Sequence, residues 1–164
     1  MLISLWRNVC FLISYVITYL FYKNKMIDVK YKLEGDGIVP TYMTDGSVGA
    51  DLFAAQKVVS FGQILIVDTG VSIEIPEGYE GQIRPRSSLL PNRFLYGPIG
   101  TIDQDYRGTL KVVLLLLNPR TITTIEKGER IVQLVISPIV KANFIPGELS
   151  STARNEGGFG STGR

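Results

Sequence analysis

Apolar and polar positions along this chain change over at short range, in runs broken by glycine and proline. Met-Ile-Asp-Val-Lys-Tyr-Lys-Leu, from Met26 to Leu33, alternates in the manner of an opening strand. Gln63 to Val67 predicts a strand leading to Asp68-Thr69-Gly70, and Val71 to Ile75 predicts another that stops at Pro76. Pro76-Glu77-Gly78-Tyr79 is a turn signal before a strand at Gly81 to Arg84. Leu110 to Leu117 is apolar on both faces apart from Lys111. With its β-branched valines and the flanking Gly108 and Pro119, it predicts a strand buried on both sides. Double burial in so small a chain points to a face that meets another subunit. The alternative is a strand inside a two-sheet sandwich, which needs no partner. Glu126-Lys127-Gly128-Glu129 makes a further turn, followed by a strand at Arg130 to Ile136. Seventeen glycines and eight prolines suit the same all-β architecture.

The two ends follow other rules. From Val9 to Tyr22 no residue is charged, and Lys23 and Lys25 follow at once. A spanning helix needs roughly 20 apolar residues, a length reached here only by including Arg7 and Asn8. A secretory signal would need small residues at a cleavage site, and Lys-Asn-Lys stands there instead. The preferred reading of residues 1–25 is upstream sequence outside the functional protein. A membrane anchor or interfacial segment comes next, with the folded domain on the cytoplasmic side, and a cleaved signal last. At the other end, residues 150–164 are small and polar around Phe159, with Arg154 and Arg164 at the flanks. A tail of that composition is expected to be mobile until a ligand orders it. The chain therefore divides into an extension (1–25), one β-domain (26–149) and a tail (150–164).

Composition limits the chemistry. A chain of 164 residues can bury one real core. With no His and a single Cys it has no Ser-His-Asp triad, no Cys-His nucleophile and no zinc site built from those residues. The lone Cys10 permits no disulfide within the chain, so nothing points to an oxidising compartment. A net charge of +2 without a basic run gives no nucleic-acid footprint. Carboxylates, hydroxyls, guanidinium groups and backbone amides must do the work.

Three segments gather those groups. Gly100-Thr101-Ile102-Asp103-Gln104-Asp105-Tyr106-Arg107-Gly108 sets two acids, an aromatic and an arginine between glycines that allow a tight turn and close approach to a ligand. In a chain without His, Asp103 is the candidate general base, with Tyr106 close behind to floor the same pocket. Taken alone, the segment would read as an acidic surface turn. Arg84-Pro85-Arg86-Ser87-Ser88-Leu89 offers anion ligands; alone it would be a solvated strand end. The tail resembles a phosphate-gripping loop, with Phe159 free to stack on a planar base. It is not a Walker A loop, because the Gly-Lys-Ser/Thr step is missing.

Gly49-Ala50-Asp51-Leu52, Pro85 to Leu89, Gly100 to Gly108, Lys127-Gly128-Glu129-Arg130-Ile131-Val132-Gln133-Leu134 and Arg154 to Gly163 occur in this order. Together they resemble the five ordered motifs of the trimeric dUTP pyrophosphatases (dUTPases), over essentially Met26 to Arg164. The resemblance implies a jelly-roll β-barrel of the β-clip type, assembled as a homotrimer whose active sites are shared between chains. It implies hydrolysis of dUTP to dUMP and pyrophosphate, which limits uracil in DNA and supplies dUMP for thymidylate synthesis, in the cytoplasm. Asp103 would activate water for attack on the α-phosphorus. Tyr106 would lie under the deoxyribose and exclude a 2′-hydroxyl. Gly97 to Ile102, including Thr101, would read uracil through the backbone. Arg86, Ser87, Ser88 and Gln133 would hold phosphates, with Lys111 also among the substrate-binding residues. Arg154, Phe159, Ser161 and Thr162 would close over the nucleotide.

Magnesium, as Mg²⁺, would be held by the triphosphate and water, with no direct protein ligand. Asp51 would be an outer-shell or, preferably, a structural carboxylate. The expected partners are dUTP and two further copies of the chain. No nucleic acid is expected, and membrane contact only if residues 1–25 are an anchor.

Three positions depart from the family pattern. Gly97 stands where many relatives have Asn, Ser88 where others have Gly, and Asn155 where Gly commonly follows the tail arginine. Asn tolerates a left-handed backbone, so little harm is expected at 155. The nearest rival is a dCTP deaminase, which would need a Glu at the position of Val113 and usually Phe or Trp in place of Tyr106. A non-catalytic nucleotide-binding regulatory relative is the rival of another class; the presence of Asp103 and Phe159 argues against it.

Overall fold

The computed structural model describes residues 26–118, 122–158 and 161. The apolar segment 1–25, Phe159 and Thr162 lie outside the described residues, so the expectations placed on them are not addressed by the fold.

All strand pairs are antiparallel. A four-stranded sheet has the order β2 (Ala50–Phe53), β11 (Arg130–Pro138), β6 (Tyr79–Pro85), β8 (Gly100–Ile102). A three-stranded sheet has the order β4 (Ile64–Asp68), β9 (Lys111–Leu116), β7 (Leu95–Tyr96). Two pairs complete the fold: β1 (Lys30–Leu33) with β5 (Val71–Glu74), and β3 (Val58–Ser60) with β10 (Thr123–Ile125). One short helix, α1 (Leu89–Arg93), joins β6 to β7. The architecture is the expected all-β, jelly-roll arrangement. Leu52, Leu65, Val67, Leu114, Ile131 and Val132 lie at its centre, fully shielded from solvent. Burial of such side chains, at about 25 cal/mol per Å² of apolar surface, is the main force holding the barrel together.

Two sequence expectations need correction. The opening strand does not start at Met26. Lys30 pairs with Glu74 at the far end of β5, and just beyond stands Pro76, whose missing N–H cannot continue the ladder. Nor is β9 buried on both sides within the chain. Val112, Leu114 and Leu116 point into the core, whereas Lys111 and Val113 face out. Beside them on β4, Ile66 pairs with Val113 and Ile64 with Leu115, and both isoleucines are 60% exposed. The sandwich alternative finds no support, because no second sheet among the described residues covers that apolar face.

Candidate functional site

On the β2–β11–β6 side, the four-stranded sheet gathers the first, second and fourth sequence motifs, while β8 at its edge carries the start of the third. Opposite Asp51 on β2 lies Gln133 of β11, and opposite Gln133 lies Arg84 of β6. Asp51 is only 2% exposed, and a carboxylate so deeply buried requires cationic and hydrogen-bonding partners. It has three. Arg86 Nε lies 3.4 Å from Oδ1, Gln133 Nε2 donates to Oδ1 at 3.2 Å, and Arg130 Nη1 donates to Oδ2 at 3.1 Å. Arg86 Nη1 also donates to the carbonyl of Arg130 at 3.1 Å.

Ser87 is exposed and Ser88 half-buried. Ser88 sits at the start of α1 without making a capping bond through its side chain. Two guanidinium groups against one carboxylate leave this corner cationic, with hydroxyls beside it, which is suitable chemistry for an oligophosphate. Both oxygens of Asp51 are engaged by protein groups. Arg130 joins the cluster beyond the residues named as site candidates; the signal for it in the sequence is its place three residues before Gln133 in the same motif.

Asp103 and Tyr106 are held elsewhere. A turn closed by Tyr106 N donating to Asp103 O at 3.1 Å keeps the two together. Tyr106 Oη donates to Thr109 O at 3.0 Å, and Arg107 Nη1 braces the turn on Gln104 O at 2.6 Å. Asp103 is exposed and Tyr106 is 43% exposed. The β6–β8 register pairs Gly81 with Ile102, so Asp103 follows abreast of Glu80. Arg86 follows the opposite end of β6. At about 3.3 Å per residue, the six steps from Glu80 to Arg86 span roughly 20 Å.

The remaining candidates are dispersed. β8 is the edge of its sheet, so one row of its backbone groups, over Gly100, Thr101 and Ile102, has no strand partner among the described residues. Gly97 packs the preceding hairpin down tightly: a Cβ there would meet Pro85 Cβ at 3.3 Å and Leu114 Cδ2 at 3.4 Å. Lys111 lies on β9, in a different sheet from Asp51, and faces outward with Nζ 4.0 Å from Asp68 Oδ2. Arg154 and Ser161 lie in exposed tail turns, with Arg154 Nε donating to Gly157 O at 2.8 Å and Ser161 N to Gly158 O at 3.0 Å. Asn155 adopts φ 40°, the left-handed conformation that Asn tolerates.

An open cleft of about 820 Å³ is lined by Val29, Tyr31, Tyr42, Met43 and their neighbours, and by none of these candidates. Among the described residues, no group of three or more His, Cys, Asp or Glu is placed to hold a metal ion. No helix among them is long and apolar enough to cross a membrane.

The sequence profile of the dUTPase family matches residues 36–163. A deoxyuridine 5'-triphosphate nucleotidohydrolase of Hydrogenobaculum is 50% identical over 139 residues, covering 80% of this chain and 94% of its own. The dUTPase of Staphylococcus bacteriophage 80alpha, solved with dUPNHPP, superposes with a TM-score of 0.75 at 30% identity, over 85% of this chain and all of its own. A dUTPase of phage phi11 of S. aureus, solved for its coordination of a structural Mg(II) ion, gives a TM-score of 0.69 at 24% identity, over 75% and 98% of the two chains.

Proposed function

The chain belongs to the dUTPase family and is a dUTP diphosphatase, and we propose that it makes dUMP and pyrophosphate at a site completed by a second copy of itself. The observation that carries this reading is the β6–β8 register. Asp103, abreast of Glu80, and Arg86 sit roughly 20 Å apart measured along the direction of β6, too far to serve a single α-phosphorus and its leaving group. If the hairpin of one chain abuts the cationic corner of another, the separation disappears. The uncovered apolar face formed by Ile64, Ile66 and Val113 supports association, since monomeric proteins seldom expose contiguous patches of that kind. By analogy with the family the assembly is a homotrimer.

In that arrangement Asp103 takes a proton from water as it attacks the α-phosphorus in line, and positioning supplies most of the rate. The unpaired edge of β8 offers backbone donors and acceptors to the uracil edge, which fits Gly97: the base would be read without a side chain there. Tyr106 sits under the sugar, where a 2′-hydroxyl would collide with its ring. Arg86, Ser87, Ser88 and Gln133 hold the phosphates. Arg154, Phe159, Ser161 and Thr162 of the tail (150–164) close over the nucleotide, and residues 26–149 form the barrel. Lys111 is better suited to the interface between copies than to direct contact with dUTP.

Asp103 and Asp105 are exposed carboxylates on the hairpin, and a hard cation such as Mg²⁺ prefers oxygen donors and keeps several of its waters. Mg²⁺ arriving with the triphosphate would neutralise charge on the leaving pyrophosphate. Removal of uracil nucleotides from the DNA precursor pool and supply of dUMP, in the cytoplasm, belong to the same reading.

A dCTP deaminase would need a proton-shuttling side chain at Val113, and that position points out of the barrel on β9. The discriminating experiment follows pyrophosphate release by the full chain from dUTP, UTP, dCTP and dTTP in parallel, with Mg²⁺ and with EDTA. Release from dUTP alone, abolished by EDTA, is expected. Equal release from UTP would refute the role of Tyr106.

A further inference from the structure

We infer that the Gly49–Asp51 stretch is a positioning element for the phosphate grip: Asp51 aims Arg86 and Gln133, and Gly49 leaves the space in which Gln133 is aimed. The inference rests on the proposed role of Arg86 and Gln133 as phosphate ligands.

Arginine and glutamine have long stems, and ordering them on a ligand costs conformational freedom that prior fixation removes. Arg86 is fixed at two of its three nitrogens. Nε faces Asp51 Oδ1 at 3.4 Å and Nη1 donates to Arg130 O at 3.1 Å. Nη2 is left as the leading end of the fork. Gln133 is fixed by the same carboxylate oxygen, which accepts from Nε2 at 3.2 Å; the second N–H of that amide remains to be directed. One buried acid therefore sets the direction of donors from two different strands.

Gly49 contributes by shape. A Cβ built on it would lie 2.8 Å from Gln133 Cβ and 3.3 Å from its Cδ, so any other residue must push Gln133 aside. Neither effect would be needed if Asp51 only neutralised core charge. Arg130 alone, donating to Oδ2 at 3.1 Å, would suffice for that.

The test is a double-mutant cycle on the full chain, with kcat and KM for dUTP measured at saturating Mg²⁺ for wild type, Asp51→Asn, Arg86→Ala and the double variant. Melting temperatures are measured alongside. Asp51→Asn keeps the side-chain shape and is expected to lower kcat/KM on the order of 100-fold, mainly through KM. In the Arg86→Ala background the same change is expected to cost clearly less, because only the aim of Gln133 is then left to lose. An undiminished loss in that background overturns the inference and leaves the role of Arg86 standing. If Arg86→Ala itself leaves kcat/KM unchanged, the phosphate-ligand reading fails and the inference falls with it.

Gly49→Ala alters no charge and carries the test should Asp51→Asn not fold. Its loss is expected to match that of Gln133→Ala and not to add to it. Wild-type kcat/KM in Gly49→Ala, or additive losses, would refute the role of Gly49.

Discussion

Arg130 and Gln133 stand three residues apart on one strand, yet both bond the carboxylate of Asp51. In a regular strand, positions separated by an odd number of residues point to opposite faces. The β11–β2 register slips between Arg130 and Val132, and that bulge turns Arg130 onto the same side as Gln133. Ile131 and Val132 are consecutive and both fully buried, as an extra residue at this point requires. A defect in the ladder thus gathers cationic and amide groups into one corner.

Gly108 is predicted to control sugar selectivity through Tyr106. A Cβ at Gly108 would lie 2.5 Å from Tyr106 Oη and 2.7 Å from Cζ, so Gly108→Ala must displace the ring. The preference for dUTP over UTP, measured as the ratio of kcat/KM values, should fall by about tenfold or more, with a melting curve close to wild type. An unchanged ratio would mean that the ring does not guard the 2′ position.

Val113→Glu places a charge in the middle of the outward apolar face beside Ile66. The side chain is 41% exposed in the single chain, so the barrel should still fold, as judged by circular dichroism. Light scattering should report monomers, and dUTP turnover should be lost with assembly. An intact, active oligomer would move the interface elsewhere.

Gly70 is a stability position. Its φ is +64°, and a Cβ there would meet Glu34 O at 2.6 Å and Gly37 Cα at 2.9 Å. Gly70→Ala should cost about 2 kcal/mol or more, combining left-handed strain with a backbone clash, and thermal melts should show it. A variant as stable as wild type would mean that the β1–β5 connection yields without cost.

The sequence made the class of fold readable because glycine and proline bracket runs of the right length, as at Pro76 and Gly78. It hid the orientation of β9, since Val113 and Leu114 are equally apolar and only one of them lies in the core. The helix α1 is not legible in the sequence, because Pro91 and Asn92 within Leu89–Arg93 are poor helix formers. For the site, the motifs could be named from their resemblance to a family, but their distances could not. Asp51 and Arg130 are 79 residues apart in sequence and meet through strand register and a bulge, neither of which is encoded locally.

The shared site is tested most directly by mixing two inactive variants. Asp103→Asn, which keeps shape and removes basicity, should abolish turnover while retaining nucleotide binding; Arg86→Ala should be severely impaired with its Asp103 intact. Unfolded and refolded together, randomly assembled oligomers of the proposed kind should regain activity at about a quarter of their sites, where one chain supplies Asp103 and its neighbour Arg86. The pyrophosphate release rate of the mixture should therefore exceed that of either variant refolded alone. A mixture no more active than its components would contradict a site built between chains.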